Sequence, residues 1–151
     1  MRKNSANNAT QQFRYEYWSA FNDYAFQNPE FSRSFKQAKA TTRQGVGFAV
    51  GWSNCQIIIR QIQRRAAVSV EVYTNQKHIF QSLYQKKDEI ELDIGMTLDW
   101  QALPEKKGSR ILVEKPVNLT DQTDWNNQFE WIMDTCLRMK RTFQKYLDAK
   151  L

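Results

Sequence analysis

Apolar residues recur at spacings of three and four near the start of the chain, a pattern that predicts an amphipathic helix. The stripe comprises Phe13, Tyr17, Ala20, Phe21 and Tyr24. Thr10 can cap this helix, and Asn28-Pro29 is expected to end it, because helical conformation is disfavoured before a proline. The first ten residues are rich in Asn, Ser and Ala, which predicts a disordered N-terminus over residues 1–10, followed by a single domain over residues 11–151.

The first helix carries more aromatic rings than its apolar stripe accounts for. On a helical wheel, Tyr15 and Phe26 lie away from the stripe and Trp18 lies on its flank. Some of these rings need another surface to cover them. Residues 31–44 show no clean period, which indicates a short helix or a mobile basic connector.

Beyond Gly45 the period changes to two, which is typical of β-strands. The alternation predicts one strand over residues 47–52, a second over residues 55–63 and a third over residues 68–73, with a turn near Arg64-Arg65 between the last two. A single helix is then predicted, with Phe80, Leu83, Ile90 and Ile94 on one face. Gly95 can close this helix in the left-handed conformation.

A second hairpin and a long helix complete the pattern. Alternation over residues 98–102 and at Ile111 and Val113 predicts two strands around a turn at residues 104–108, and Pro116 ends the second strand. Seven apolar residues then step by four and three: Trp125, Phe129, Ile132, Cys136, Met139, Phe143 and Tyr146. They predict one amphipathic helix of about 26 residues.

The order of these elements is helix, three strands, helix, two strands, helix. Short hairpin connections imply a largely antiparallel sheet, so the predicted class is α+β, in two layers. The expected architecture is a five-stranded sheet with the helices mainly on one face.

Composition agrees with an ordinary globular domain. The chain has 151 residues, of which 41% are hydrophobic and 25% charged. No apolar run reaches the ~20 residues of a membrane span, and the N-terminus lacks the apolar stretch of a signal peptide, so a cytoplasmic protein without a membrane partner is expected. Two cysteines and one histidine are too few for a disulfide scaffold or the usual zinc sites, so no metal and no cofactor are expected.

Charge is unevenly distributed along the chain. The net charge is +6, yet residues 1–70 carry ten basic and three acidic side chains, whereas residues 71–151 carry twelve basic and thirteen acidic ones. Between Phe31 and Val70 there is no acid but seven basic residues, here called the basic strip: Arg33, Lys36, Lys39, Arg43, Arg60, Arg64 and Arg65. The strip indicates a polyanionic partner. It is equally compatible with a solvated face whose charge is offset by acids from the second half.

Spaced apolar and tryptophan positions form a recognisable pattern in the middle and at the end of the chain. They are Phe80-x-x-Leu83-x-x-x-Lys87-x-x-Ile90-Glu91-x-x-Ile94-Gly95, Leu98-x-Trp100, Lys106-Lys107-x-Ser109-Arg110-Ile111, Asp124-Trp125 and Trp131. With these positions the chain resembles, over residues 13–146, the prokaryotic family known as domain of unknown function 4268. In that family the domain often follows a nuclease-like domain, which associates it with DNA-processing systems. No catalytic residues follow from the resemblance.

The order helix, three strands, helix, strand also matches the core of restriction-type nucleases. Those enzymes need an acid on the second strand and an acid-x-Lys triplet on the third, to hold a divalent ion and activate water. Here the second predicted strand has no acid, and the third offers Glu71-Val72-Tyr73 without a lysine. The triplet Glu105-Lys106-Lys107 lies in a predicted turn. No catalytic or metal-binding residues are therefore assigned.

Acidic residues cluster near the end of the middle helix: Asp88, Glu89, Glu91 and Asp93. Their carboxylates could bind magnesium or a basic partner. Because Lys86 and Lys87 precede them, a solvated face of mixed charge is the favoured interpretation.

The leading hypothesis is a non-enzymatic module that binds nucleic acid. Cations of the basic strip would neutralise phosphates, while a ring of Tyr15, Trp18 or Phe26 stacks on an exposed base. The alternative is a protein-interaction module, which binds an acidic partner subunit or forms a homodimer through the last helix. A degenerate or atypical nuclease-like fold is the third hypothesis.

Overall fold

Five α-helices and one antiparallel five-stranded sheet occupy residues 2–147, the part of the chain that the structure, a computed structural model, describes. The helices are α1 (Arg2–Ala25), α2 (Pro29–Ser34), α3 (Lys77–Gln85), α4 (Lys87–Ile94) and α5 (Trp125–Phe143). The strands are β1 (Gly45–Phe48), β2 (Cys55–Ile62), β3 (Ala67–Thr74), β4 (Asp99–Gln101) and β5 (Ser109–Pro116). The predicted α+β class is confirmed.

Helix α1 begins at Arg2, so the predicted start at Thr10 is wrong. No glycine or proline lies between these two residues, and a nucleated helix gains one hydrogen bond for each residue it adds. The division of the chain into residues 1–10 and 11–151 stays a prediction, and its limits at residues 1 and 151 lie outside the described residues.

Helix α2 covers the first part of residues 31–44, the segment whose apolar residues showed no clean period. Asn28 caps it, because the side-chain oxygen accepts a hydrogen bond of 3.0 Å from the amide of Phe31. Pro29 occupies the first turn, where its missing N–H costs nothing. Beyond α2 a connector without regular structure leads to β1.

The strand order is β1-β2-β3-β5-β4, and every neighbouring pair is antiparallel. The predicted hairpins β1–β2 and β4–β5 are confirmed, but β1 ends at Phe48, so the predicted strand over residues 47–52 is wrong in its bounds. Strand β5 pairs with β3 over all eight of its residues, whereas the three-residue β4 pairs only with β5. The longer strand makes more ladder hydrogen bonds in the interior of the sheet, and the short one remains at the edge.

The single middle helix predicted from the sequence is two helices, α3 and α4, separated at Lys86. The break lets the two segments pack on different partners, α3 on β3 and β5, and α4 on α5. Both still bury one apolar face. Gly95 ends α4 in the left-handed conformation (φ 77°), as predicted.

Helix α5 has 19 residues and ends at Phe143, so the predicted length of about 26 residues is wrong. The chain continues in a tighter turn, in which the amides of Tyr146 and Leu147 both donate to the carbonyl of Phe143. The apolar stripe itself is confirmed, since Phe129 and Phe143 are buried. Because α5 packs on β2, β3 and α1, a homodimer through this stripe would have to displace parts of its own chain.

Alternation along the strands gives the sheet two different faces. One face joins the helices in the hydrophobic core, through Ile57, Ile59, Val68, Val70, Val72 and Ile111. The other, here called the open face, carries Ile58, Arg60, Ser69, Glu71, Tyr73, Arg110 and Leu112.

Of the helices in residues 2–147, none is long and apolar enough to cross a membrane.

Candidate functional site: a basic pocket on the open face

The register of the sheet brings three charged residues together at the centre of the open face. Arg60 on β2 pairs with Ser69 on β3. Arg110 on β5 pairs with Tyr73, four residues farther along β3. Glu71 lies midway between these two positions, so it is a diagonal neighbour of both arginines and within reach of their long side chains.

Glu71 binds both arginines through one carboxylate oxygen. Its Oε1 contacts Arg60 Nη1, accepts a hydrogen bond of 2.9 Å from Arg110 Nε and lies 2.7 Å from Arg110 Nη2. The Glu71 side chain is wholly buried, whereas those of Arg60 and Arg110 are 25% and 24% exposed. Hydrogen bonds between ionised groups are the strong ones, so Glu71 fixes both guanidinium groups in place.

Burial changes the acidity of both guanidinium groups. Burial and, to a smaller extent, the positive charge of Arg110 together lower the pKa of Arg60 to about 10. Burial also lowers the pKa of Arg110, while the negative charge of Asp99 acts against this. At neutral pH the two side chains remain cationic but partly dehydrated, which strengthens their attraction for an anion.

Arg64 and Arg65 lie at one end of the open face, in a 3₁₀ turn (Gln63–Arg65) between β2 and β3. Ala66 closes this turn in the left-handed conformation (φ 47°). Arg65 Nε donates a hydrogen bond of 2.8 Å to Glu114 on β5, whereas Arg64 is exposed and makes no ion pair with a described residue. The turn therefore presents two cations beside the Arg60–Glu71–Arg110 cluster.

Lys77, in the first turn of α3, holds the loop at the other end of the open face. Its Nζ donates hydrogen bonds of 2.7, 2.7 and 2.8 Å to the carbonyls of Ala102, Leu103 and Gly108. All three carbonyls belong to residues 102–108, here called the β4–β5 loop. One ammonium group thus satisfies three backbone acceptors of a loop that has little regular structure.

The β4–β5 loop lies directly on the sheet. At Gly108 any Cβ would overlap the ring of Tyr73, so glycine permits a close approach between loop and strand. Lys106 and Lys107 precede this glycine and are exposed. Their position places two further cations over the open face, opposite the end that carries Arg64 and Arg65.

These parts enclose a pocket of about 550 Å³, here called the basic pocket. Six of its lining residues are cationic: Arg60, Arg64, Arg65, Lys106, Lys107 and Arg110. Two carboxylates, of Glu71 and Glu114, pair with three of them, so positive charge is in excess. Arg64 and Arg65 lie near one end of β3, and Lys106 and Lys107 lie near the other, and the eight residues of this strand span about 24 Å.

The basic strip predicted from the sequence divides between two regions. Arg60, Arg64 and Arg65 lie in the basic pocket. The other four lie on α2 and the connector after it: Arg33, Lys36, Lys39 and Arg43. Asn22 of α1 donates a hydrogen bond of 2.8 Å to the carbonyl of Ala38, so this connector lies along α1. Arg60 pairs with Glu71, and Arg65 pairs with Glu114. For these two arginines, acids from the second half of the chain therefore offset the positive charge, which was the alternative interpretation of the basic strip.

The three aromatic candidates have different environments. Trp18 is 1% exposed and donates its Nε1–H to the carbonyl of Arg43, so the connector supplies a surface that covers this ring. Phe26 is partly buried, with its ring 5.2 Å from that of Phe31. Tyr15 is 47% exposed, but on α1 and not in the basic pocket. Packing around α1 therefore uses two of the three rings within the chain.

The acidic cluster near the end of α4 has structural partners. Glu91 accepts hydrogen bonds of 2.9 Å from the amide of Leu98 and 3.0 Å from Trp100 Nε1, which hold its pKa below the usual value. Asp93 lies 2.8 Å from Lys145 Nζ, and this contact lowers its pKa. Among residues 2–147, no group of three or more His, Cys, Asp or Glu side chains is arranged to hold a metal ion.

Sequence reasoning missed half of the pocket's cations, Arg110, Lys106 and Lys107. It placed the two lysines in a turn and Arg110 at the start of a strand, but nothing in the sequence indicated that β5 lies beside β3. The signal that could have found Arg110 is the alternation along β5, which sets Arg110, Leu112 and Glu114 opposite to Ile111 and Val113. Glu71 was weighed only as a nuclease acid, and its role as the partner of two arginines was not predicted.

Comparison with known proteins identifies a family and no further relative. Residues 13–147 match the family model described as Domain of unknown function (DUF4268). No curated protein and no solved structure matches the chain. The match covers most of the chain and includes every residue of the basic pocket, so the pocket lies within the family's domain.

Proposed function

We propose that this chain, a member of the DUF4268 family, is a non-enzymatic module that binds nucleic acid through the basic pocket. The observation that carries the proposal is the convergence of six cations from two separate segments of the chain, residues 60–65 and 106–110, on one open face. Cations attached near both ends of a strand about 24 Å long suit an extended polyanion better than a compact one. Nucleic acid is the polyanion with regularly spaced phosphates.

The expected recognition is of the phosphate backbone and not of the bases. Tyr73 is the aromatic residue that lines the basic pocket, and its ring packs under Gly108. Base stacking on an exposed ring is therefore not part of the proposal. Contacts to phosphates position a ligand without reading its sequence, so binding would be weak and mostly independent of sequence.

A salt titration of duplex DNA binding tests the proposal. About four to six phosphate contacts would give a slope of log affinity against log salt of roughly −0.9 per contact. The double variants Arg64→Glu/Arg65→Glu and Lys106→Glu/Lys107→Glu should each bind more weakly and with a shallower slope.

Lys36→Glu/Lys39→Glu is the matched control. It changes the net charge by the same amount, but at two exposed residues of the connector, away from the basic pocket. Equal losses for control and pocket variants would show that only net charge matters and would contradict a site in the pocket. No binding by the parent protein at ~50 mM salt would reject nucleic acid as the ligand and leave an acidic protein partner as the alternative.

A further inference from the structure

The cations of the basic pocket differ in how firmly they are held. Arg60 and Arg110 form its floor, where both bind the buried carboxylate of Glu71. Arg64 and the two lysines of the β4–β5 loop form the rim, where they are exposed and make no ion pair within residues 2–147. The floor therefore offers guanidinium groups in fixed positions, whereas the rim offers side chains that lose conformational freedom on binding.

The floor guanidinium groups retain donors for a ligand. A guanidinium has five N–H groups, and Arg60 uses only Nη1 on Glu71. Arg110 uses Nε and Nη2 on Glu71, and Nη1 lies 3.3 Å from Gln101 Oε1. Arg60 Nε and Nη2 have no partner among the described residues and are not buried, so their N–H groups are open to solvent. On Arg110, Nη1 and Nη2 each keep one further N–H beyond these contacts.

The arrangement of the two groups favours a phosphate over a carboxylate. They reach Glu71 from opposite sides of β3, one from β2 and one from β5. The carboxylate of Glu71 already contacts both groups through one oxygen, so a ligand has to accept from the N–H groups that Glu71 leaves unused. A phosphate has more oxygens than a carboxylate, directed tetrahedrally, and can accept from both guanidinium groups at once. Two arginines against one carboxylate also leave a positive charge at the floor that only an anion offsets.

We propose that Arg60 and Arg110, fixed by Glu71, form a subsite for one phosphate group of the bound ligand. This inference rests on the proposed function, in that the rest of the ligand is nucleic acid held by the rim. A pocket of about 550 Å³ has the size of a site for a small organic ligand, so it accommodates a nucleotide together with its phosphate. The phosphate has two sources, the end of a strand or its interior.

The double variant Arg60→Lys/Arg110→Lys tests the subsite, because it keeps both charges and removes the guanidinium geometry. We expect affinity for an oligonucleotide to fall about tenfold with an unchanged salt slope, since hydrogen bonds are lost but no charge is. Arg64→Lys is the control on the rim, where no ion pair is lost, and should bind within about twofold of the parent. A floor variant that also binds within about twofold of the parent would overturn the subsite.

A measurement on the parent protein keeps the test decisive if the floor variant does not fold. Inorganic phosphate is titrated against chloride at equal ionic strength while the Nε–H resonances of arginine side chains are followed by NMR. Those of Arg60 and Arg110 should shift and saturate, whereas that of Arg33 on α2 should not. Equal small shifts for all three would overturn the subsite.

The two sources of the phosphate are separated with matched oligonucleotides that carry a 5′-phosphate or a 5′-hydroxyl. Tighter binding of the phosphorylated form assigns the subsite to a strand end. Equal binding, with competition by inorganic phosphate, assigns it to an internal phosphate. If inorganic phosphate shifts the Arg60 and Arg110 resonances but no oligonucleotide binds, the subsite stands and the proposed function is wrong.

Discussion

At the scale of single residues, Glu71 is the buried charge on which the open face is organised. Its carboxylate is wholly buried and its Oε1 serves two arginines, while Oε2 has no hydrogen-bond partner among the described residues. Removing one partner of a buried ion pair is far more costly than removing an exposed pair, because an uncompensated charge remains behind. Glu71 should therefore matter to stability as well as to the shape of the pocket.

We expect Glu71→Gln to lower the free energy of unfolding by about 3–5 kcal/mol, because two partly buried guanidinium groups lose their counter-charge. Urea denaturation followed by circular dichroism measures the change. Glu114→Gln is the control, since it removes a carboxylate of the same face whose pair with Arg65 is partly exposed, and should cost less than about 1 kcal/mol. Similar losses for both variants would contradict the role assigned to Glu71.

Phe129 shows how aromatic rings of different elements stabilise one another. Its ring centroid lies 5.1 Å from that of Tyr17 and 5.5 Å from that of Phe21, both with the rings edge-on. Such edge-on contacts stabilise beyond the area they bury. The ring thereby ties α5 to α1.

Replacing Phe129 or Phe143 by Ala should lower the free energy of unfolding by about 3–5 kcal/mol, the usual loss for a buried aromatic side chain. Thermal and urea denaturation provide the measurement. Leu92→Ala is the control, because Leu92 is 85% exposed, and its change should stay within about 0.5 kcal/mol. A phenylalanine variant as stable as the parent would place that side chain outside the core.

At the scale of elements, the β4–β5 loop depends on a residue from α3. Lys77 reaches this loop from 25 to 31 residues away and donates to three of its carbonyls. Leu103 within the loop has a positive φ of 49°, which is unfavourable for a residue with a side chain. The hydrogen bonds from Lys77 offset this strain and so help to position Lys106 and Lys107.

Lys77→Met should therefore loosen the β4–β5 loop and lower the free energy of unfolding by about 2 kcal/mol. Trypsin should cleave after Lys106 or Lys107 faster than in the parent, because cleavage requires local opening. Lys86→Met is the control, since Lys86 is exposed and its side chain makes no hydrogen bond or ion pair with a described residue. Unchanged cleavage in Lys77→Met would contradict the role of Lys77.

At the scale of the whole molecule, apolar packing and cationic side chains are segregated. The helices and the core occupy one side of the sheet, and the basic pocket occupies the other. Strand β3 serves both sides, because its even-numbered residues join the core and its odd-numbered residues face the pocket. Folding of the core thus also sets the positions of the cations.

We expect no metal-dependent cleavage of DNA by the protein. The acid of the third strand, Glu71, is engaged by two arginines, and the lysine of a nuclease triplet is absent beside it. Plasmid and oligonucleotide assays with magnesium or manganese measure this. Cleavage that survives stringent purification and disappears in Glu71→Ala would contradict the expectation.

Local patterns predicted the elements well where one period persisted over many residues. The α5 stripe and the alternation in β2 and β3 identified each element because side chains repeat every 3.6 or two residues. Errors arose where packing or chain continuity overrode the local signal. Lys86 divides one predicted helix into α3 and α4, and α1 extends past Thr10 to Arg2.

The candidate site was less predictable than the fold. Three of its six cations, Arg60, Arg64 and Arg65, were predicted because they lie in a stretch without acids. Trp18 was expected to need a covering surface, and the connector and neighbouring rings provide it. Such burial depends on which segment folds over a helix, and the spacing of apolar residues within one helix does not indicate this.

The sequence alone determined the class of fold, the faces of its strands and the excess of positive charge, since each depends on residue identity and short-range spacing. Tertiary structure decided the order β3-β5-β4 and the register that makes Glu71 a diagonal neighbour of Arg60 and Arg110. Strand order and register depend on contacts between residues that are far apart in the chain. Such contacts do not produce a periodic pattern in the sequence, so the sequence alone did not predict them.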